Sequence, residues 1–144
     1  MSSKVSPLTQ PVILGFDPGR QKCGVAVMGL DRQIYHHEVI ASDKALPSIV
    51  ALQQHYPVTL LVMGDQTTAR QWKDKLAAHL EGLRIVLVDE RYSTLEARDR
   101  YWQMYQPQVW QRLLPKGLRI PPRPIDDIVA ILLIERYLSR LTDD

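Results

Sequence analysis

Val12 to Asp17 is an apolar run closed by Asp17-Pro18-Gly19, where proline and glycine impose a turn and stop a strand. Cys23 to Gly29 and Gln33 to Ile40 are rich in β-branched and apolar residues. The short connectors Pro18 to Lys22 and Leu30 to Arg32 suit hairpins, so the first three strands are expected as an antiparallel meander. Ala45 to His55 reads as a helix, with Pro47 in its first turn and Pro57 just beyond its end. Leu60 to Met63 and Ile85 to Val88 are unbroken apolar runs, the signature of strands buried on both faces. Between them, Trp72, Leu76 and Leu80 fall at helical spacing within Thr67 to Leu80, a crossover long enough to make the two strands parallel. Ser93 and Glu96 have capping-box spacing for a further helix running to about Gln106, and Pro107 to Pro124 is expected as a loop. Asp126 or Asp127 opens a last helix whose Ile128 to Ile134 portion is apolar nearly all round and therefore mostly buried.

The expected fold class is α/β: three antiparallel strands, then two parallel strands, in one mixed sheet flanked by helices. Length and composition add limits to this picture. A chain of 144 residues suits one domain, expected over residues 11–141 behind a flexible segment 1–10. Hydrophobic residues at 45% and charged residues at 24% are an ordinary globular balance, which excludes a disordered or fibrous chain. No apolar run approaches the roughly 20 residues that cross a bilayer, and Met1 to Pro11 lacks the apolar core of a secretory signal. A cytoplasmic protein with no membrane partner is expected, and a lone Cys23 fits a reducing compartment.

Net charge is only +2, so its distribution matters more than its sum. Between Asp99 and Asp126 there is no acidic residue, while Arg100, Arg112, Lys116, Arg119 and Arg123 are interleaved with Trp102, Tyr105 and Trp110. That combination suits holding phosphates and stacking bases, and it equally describes a solvated loop with a few core aromatics.

Three carboxylate positions stand at the ends of elements: Asp17, Asp89-Glu90 and Asp126-Asp127. Such ends gather at one edge of a parallel sheet, and clustered carboxylates are how a protein holds Mg²⁺ beside a phosphate. Each has an ordinary explanation when taken singly. Asp17 can begin a turn, Asp126 or Asp127 can cap a helix, and Glu90 can pair with Arg91 at the surface. Together they point to a site. Gly19 and Gly24 leave room for backbone to approach a phosphate or a neighbouring strand. The four histidines and Cys23 read as structural: His36 and His37 are adjacent on one strand and point to opposite faces, and no histidine can be paired with the thiol.

Three segments resemble the YqgF/RuvX family of pre-16S rRNA nucleases, also described as Holliday junction resolvase-like. They are Gly15-Phe16-Asp17-Pro18-Gly19 with Lys22-Cys23-Gly24-Val25-Ala26, then Asp89-Glu90-Arg91-Tyr92-Ser93-Thr94-Leu95-Glu96-Ala97, then Ile125-Asp126-Asp127-Ile128-Val129-Ala130. The resemblance implies a ribonuclease H-like fold and nucleic-acid cleavage dependent on Mg²⁺ or Mn²⁺. It implies an acidic set of Asp17, Glu90 and Asp126, with Asp127 as the alternative third member. Asp65 stands where related RuvC resolvases carry their second carboxylate and is kept as a reserve ligand. Here the chain reads Gly64-Asp65-Gln66 in place of the family's Gly-Leu-Pro-like turn. Where many members have a lysine- and arginine-rich loop before the last helix, this chain has Trp110, Leu113 and Leu114.

In the mechanism so implied, Asp17 bridges two ions, Glu90 and Asp126 or Asp127 complete their shells, and an activated water attacks phosphorus in line. Lys22, Arg91, Arg112, Lys116, Arg119 and Arg123 are the expected contacts to nucleic acid, either an RNA precursor or branched DNA. A four-way junction substrate would favour a two-fold homodimer. Two other readings compete: a non-catalytic nucleic-acid-binding or ribosome-assembly module of the same fold, and an actin-like ATPase, for which the chain is too short to hold a second lobe.

Overall fold

The computed structural model describes residues 10–66, 68–80 and 82–142. All of the expected flexible segment but Gln10 lies outside the described residues, as does Thr67. Five strands form one sheet in the order β3-β2-β1-β4-β5. They are β1 (Val12–Asp17), β2 (Lys22–Gly29), β3 (Ile34–Ala41), β4 (Val58–Gly64) and β5 (Arg84–Val88). The first three pair antiparallel, as the hairpin connectors require, whereas β1 with β4 and β4 with β5 pair parallel through helical crossovers. This is the mixed sheet expected from the chain.

Alternation along the central strands assigns residues to two cores. Ile13, Leu60 and Val62 face helices α3 (Ser93–Met104) and α5 (Asp126–Thr142), where they meet Ala97, Tyr101, Ile131 and Ile134. Leu14, Phe16, Leu61 and Met63 face the other way, toward α1 (Ala45–His55) and α2 (Ala69–His79), packing with Ile49, Leu52 and Leu76. Ile128 to Ile134 is buried without a break because α5 is enclosed by the sheet on one side and α3 on another. Gly24 makes that close packing possible, since a side chain there would run into the backbone of Asp126 and Asp127. The close approach anticipated at Gly24 is thus made by the first turn of α5. Among the described residues, no helix is long and apolar enough to cross a membrane.

Two local expectations are corrected. Ser93 does not cap α3: it is the first helical residue, and Tyr92 precedes it in a left-handed conformation at φ 62° with no side-chain cap. Glu96 is drawn instead to Arg136, which donates to its carboxylate at 2.6 Å, a charge-assisted bond stronger than one to a neutral amide. The segment Pro107 to Pro124 is not featureless either. It holds a helical turn α4 (Val109–Arg112) and a 3-10 turn (Lys116–Leu118). Polar side chains replace periodic packing there: Gln111 accepts from the Gln108 amide, and the Arg119 guanidinium donates to the carbonyls of Gln111, Leu114 and Arg112. Trp102 Nε1 in turn donates to the Arg119 carbonyl, tying the segment to α3.

Candidate active site at the carboxyl edge of the sheet

Because β1, β4 and β5 run parallel, their carboxyl ends open onto one edge, where ligands of α/β sheets commonly sit. Asp17 ends β1 and pairs in register with Gly24 of β2, directly beneath the first turn of α5. That turn begins with Asp126. From the other side, Glu90 follows β5 and folds back over the end of β4, where a Cβ at Gly64 would lie 2.5 Å from Glu90 Oε1. Gly64 therefore makes the space that Glu90 occupies.

Asp17 is only 9% exposed. Burial, then the charges of Asp126 and Glu90, raise its pKa to about 7, against the single favourable bond from Gln66 Nε2 to Oδ1 at 3.3 Å. Glu90 is raised as well, by burial first and by Asp65 second, with Gln66 and Arg136 pulling the other way. Its Oε1 is buried without a hydrogen-bond partner. Burial also raises Asp126, aided by Asp127 and opposed by Lys22. The edge thus concentrates carboxyl groups that are costly to ionise together in the absence of a cation.

An all-oxygen set of this kind suits Mg²⁺ or Mn²⁺ in its chemistry, and the partnerless Glu90 Oε1 is an acceptor awaiting a donor or an ion. As placed, the groups are not a closed cage: among the described residues, no three His, Cys, Asp or Glu side chains are gathered so as to hold a metal ion.

Asp127, one residue on, is occupied differently. It is 2% exposed and accepts from His37 Nδ1 at 2.7 Å and from Arg123 Nη1 and Nη2 at 2.9 and 3.3 Å. Burial alone would raise its pKa, but these partners outweigh burial and hold it below the usual carboxylate value. Both of its oxygens are engaged, whereas the charge of Asp126 is felt at Asp17. Asp65 is exposed and reaches the site through its charge on Glu90.

The cations divide in a similar way. Lys22, Arg91, Arg112 and Lys116 are exposed. Arg119 is spent on three backbone carbonyls, and Arg123 on Asp127, the Pro124 carbonyl and the faces of Tyr101 and Tyr105. Arg91 lies 3.8 Å from Asp89, and no ion pair joins it to Glu90.

The profile of the RuvX family, described as Holliday junction resolvase, matches residues 11–140. The chain belongs to this family. Among its curated RuvX-like relatives is a protein of Nitrosospira multiformis named "Putative pre-16S rRNA nuclease", 34% identical over 142 residues that cover 88% of this chain and 87% of the relative. One from Coxiella burnetii with the same name is 27% identical, covering 89% and 92%. Of solved structures, Thermus thermophilus RuvC in complex with a Holliday junction substrate superposes with a TM-score of 0.56 at 18% identity, covering 92% of this chain and 96% of that one. That likeness establishes a shared RuvC-like fold.

Three residues at this edge carry weight that the chain alone did not disclose. Gln66 bridges the turn after β4 to Asp17 and to the Pro18 carbonyl. The one hint was its place in the departing Gly64-Asp65-Gln66 turn. His37 reaches Asp127 across 90 positions, a pairing that no local spacing encodes. Arg136 donates to the carbonyls of Asp89 and Arg91, at 2.6 and 2.7 Å, clasping the turn that carries Glu90.

Proposed function

We propose that the chain is a divalent-metal-dependent nuclease that hydrolyses phosphodiester bonds in structured nucleic acid, with Asp17, Glu90 and Asp126 as its acidic set. One observation carries this reading: Asp17 is buried at the carboxyl edge of a RuvC-like sheet, and that burial, with the charges of Asp126 and Glu90 added to it, raises its pKa to about 7. When bound there, a divalent cation supplies activation of water and neutralises charge on the leaving oxygen.

The chain's own groups have distinct tasks. Asp17 would give up its proton to hold the ion. Glu90, whose Oε1 has no hydrogen-bond partner, would supply the second carboxylate. Asp126 contributes the third carboxylate, while Asp127 is a positioning residue, fastening the first turn of α5 to β3 through His37 and to the preceding loop through Arg123. Exposed Lys22, beside Asp126, and Arg91, beyond Glu90, are suited to hold flanking phosphates. Names borne by relatives place both precursor ribosomal RNA and four-way DNA junctions among the substrates to try.

The test is cleavage of a structured RNA and of a four-way junction with Mg²⁺, with Mn²⁺ and with chelator. The wild-type chain is expected to cut only with metal, and Asp17→Asn to abolish cutting of either substrate. Unchanged cleavage by Asp17→Asn in a clean preparation would overturn the assignment, and metal-independent binding without any cutting would make the chain a binding module.

A further inference from the structure

The segment between α3 and α5 is built inside out. Gln111 is 7% exposed while its neighbours Trp110 and Leu113 are 60% and 83% exposed. Val109, Leu118 and Ile120 also stand largely in solvent. In a short amphipathic turn the apolar face normally goes inward. Here the polar side chains cannot leave the interior because they satisfy the backbone: Gln111 caps Gln108, and Arg119 holds three carbonyls. The apolar side chains are therefore held outward by a braced scaffold, and large apolar residues exposed together within one short segment point to a contact face.

We propose that this arm is a stacking platform for unpaired bases of the nucleic-acid substrate, centred on Trp110. Three observations choose that occupant. No carboxylate occurs between Asp99 and Asp126, and exposed Arg112 and Lys116 flank the apolar residues, so the face complements a polyanion. Trp110 Nε1 donates to Gln108 Oε1 at 2.9 Å, which holds the indole in one orientation with its ring exposed. The arm is also joined to the carboxylate edge, since Arg123 lies over Tyr105 at the arm's start and bonds Asp127 beside Asp126. A second copy is the poorer fit, because a two-fold contact would set Arg112 and Lys116 against their own images.

The inference rests on the nucleic-acid substrate of the proposed function and refines it: the strand leaving the site is single-stranded on the arm side. It is tested with chelator present, so that binding is read without cleavage. Fluorescence anisotropy compares three probes: a short unstructured RNA, the same RNA annealed to its complement, and an abasic strand with the same phosphates. Trp110→Ala is expected to weaken binding of the unstructured RNA by roughly tenfold with an unaltered salt slope, since one stacked base is lost and no phosphate contact. Duplex and abasic binding should change less than about twofold, and Trp110→Phe should restore most of the loss.

Equal affinities for wild type and Trp110→Ala, or an equal loss on all three probes, would overturn the platform. So would a wild-type dimer in sedimentation that Trp110→Ala dissociates, which would assign the face to a second copy. The two proposals fail separately. Loss confined to unpaired RNA, in a protein that cuts nothing with Mg²⁺, would leave the platform standing and sink the nuclease. Cutting that survives alongside an indifferent Trp110 would do the reverse.

Discussion

The carboxyl edge of the sheet and the arm before α5 break the usual partition of residues in opposite directions. At the edge, ionisable groups are buried: Asp17 lies beneath α5 and Glu90 Oε1 has no partner. On the arm, large apolar groups are exposed while a glutamine is buried. The costs differ accordingly. Crowded carboxyl groups in low dielectric destabilise the fold until a cation or protons relieve them, whereas exposed apolar surface weighs mainly on solubility. Substitutions at the two places should therefore behave differently, with function and stability opposed at the edge and nearly uncoupled on the arm.

The largest expected effect is at Asp17. Asp17→Asn should reduce metal-dependent cleavage by about a thousandfold or more, measured under single-turnover conditions, and should raise the melting temperature of the metal-free protein near neutral pH. A loss of stability in that variant would break the contrast. Next comes pH. Folded Asp17 keeps its proton to about 7 while the unfolded chain loses it near 3.8, so the folded state binds more protons in that window. Stability of the metal-free protein should fall as pH rises from about 4 to about 7, by at most about 4 kcal/mol. Asp17→Asn should flatten that fall, as followed by urea denaturation.

Asp127 runs the other way. Its pKa is held below the ordinary value, so its contribution is present at neutral pH and lost as acid protonates it. Asp127→Ala strands a half-buried imidazole and a half-buried guanidinium and should cost about 3 kcal/mol, whereas Asp126→Asn should leave stability unchanged or improved. If the adjacent pair behaved alike in denaturation, their division of labour would be disproved. A smaller effect is expected at Arg136: Arg136→Met should raise the Mn²⁺ concentration for half-maximal binding by roughly tenfold, read from the aqueous Mn²⁺ resonance. Smallest of all, Trp110→Ser should shift the unfolding free energy by less than about 0.5 kcal/mol while improving solubility.

Strands β1 and β4 were legible because burial on both faces writes itself as unbroken apolar runs, whereas β5, expected on the same ground to be buried on both faces, is the edge strand and leaves Ile85 to Leu87 only half-buried. The boundaries of α1 agree with its prolines, and those of α2 and α5 fall within a few residues of expectation. What escaped was non-local. The spacing of Ser93 and Glu96 favours a capping box, yet the residue that claims Glu96 is Arg136, 40 positions away. The bracing of residues 107–124 comes from Arg119 reaching back to three carbonyls, a pattern with no period to detect. Asp126 and Asp127 are alike in the chain and differ only once His37 is brought beside one of them.

Helix α5 carries Asp126 in its first turn and, ten residues later, Arg136, which grips the turn bearing Glu90. Ten residues span about 15 Å of helix axis, so the rod acts as a ruler between two separate parts of the edge. Inserting or deleting one residue between these positions would swing Arg136 by about 100° around the axis, and the clasp on Glu90 would open. Adding or removing a whole turn would restore the azimuth yet shift Arg136 by about 5.4 Å along the axis, so the interval between Asp126 and Arg136 tolerates no change of length, and insertions are expected to be accepted in the connecting segments instead.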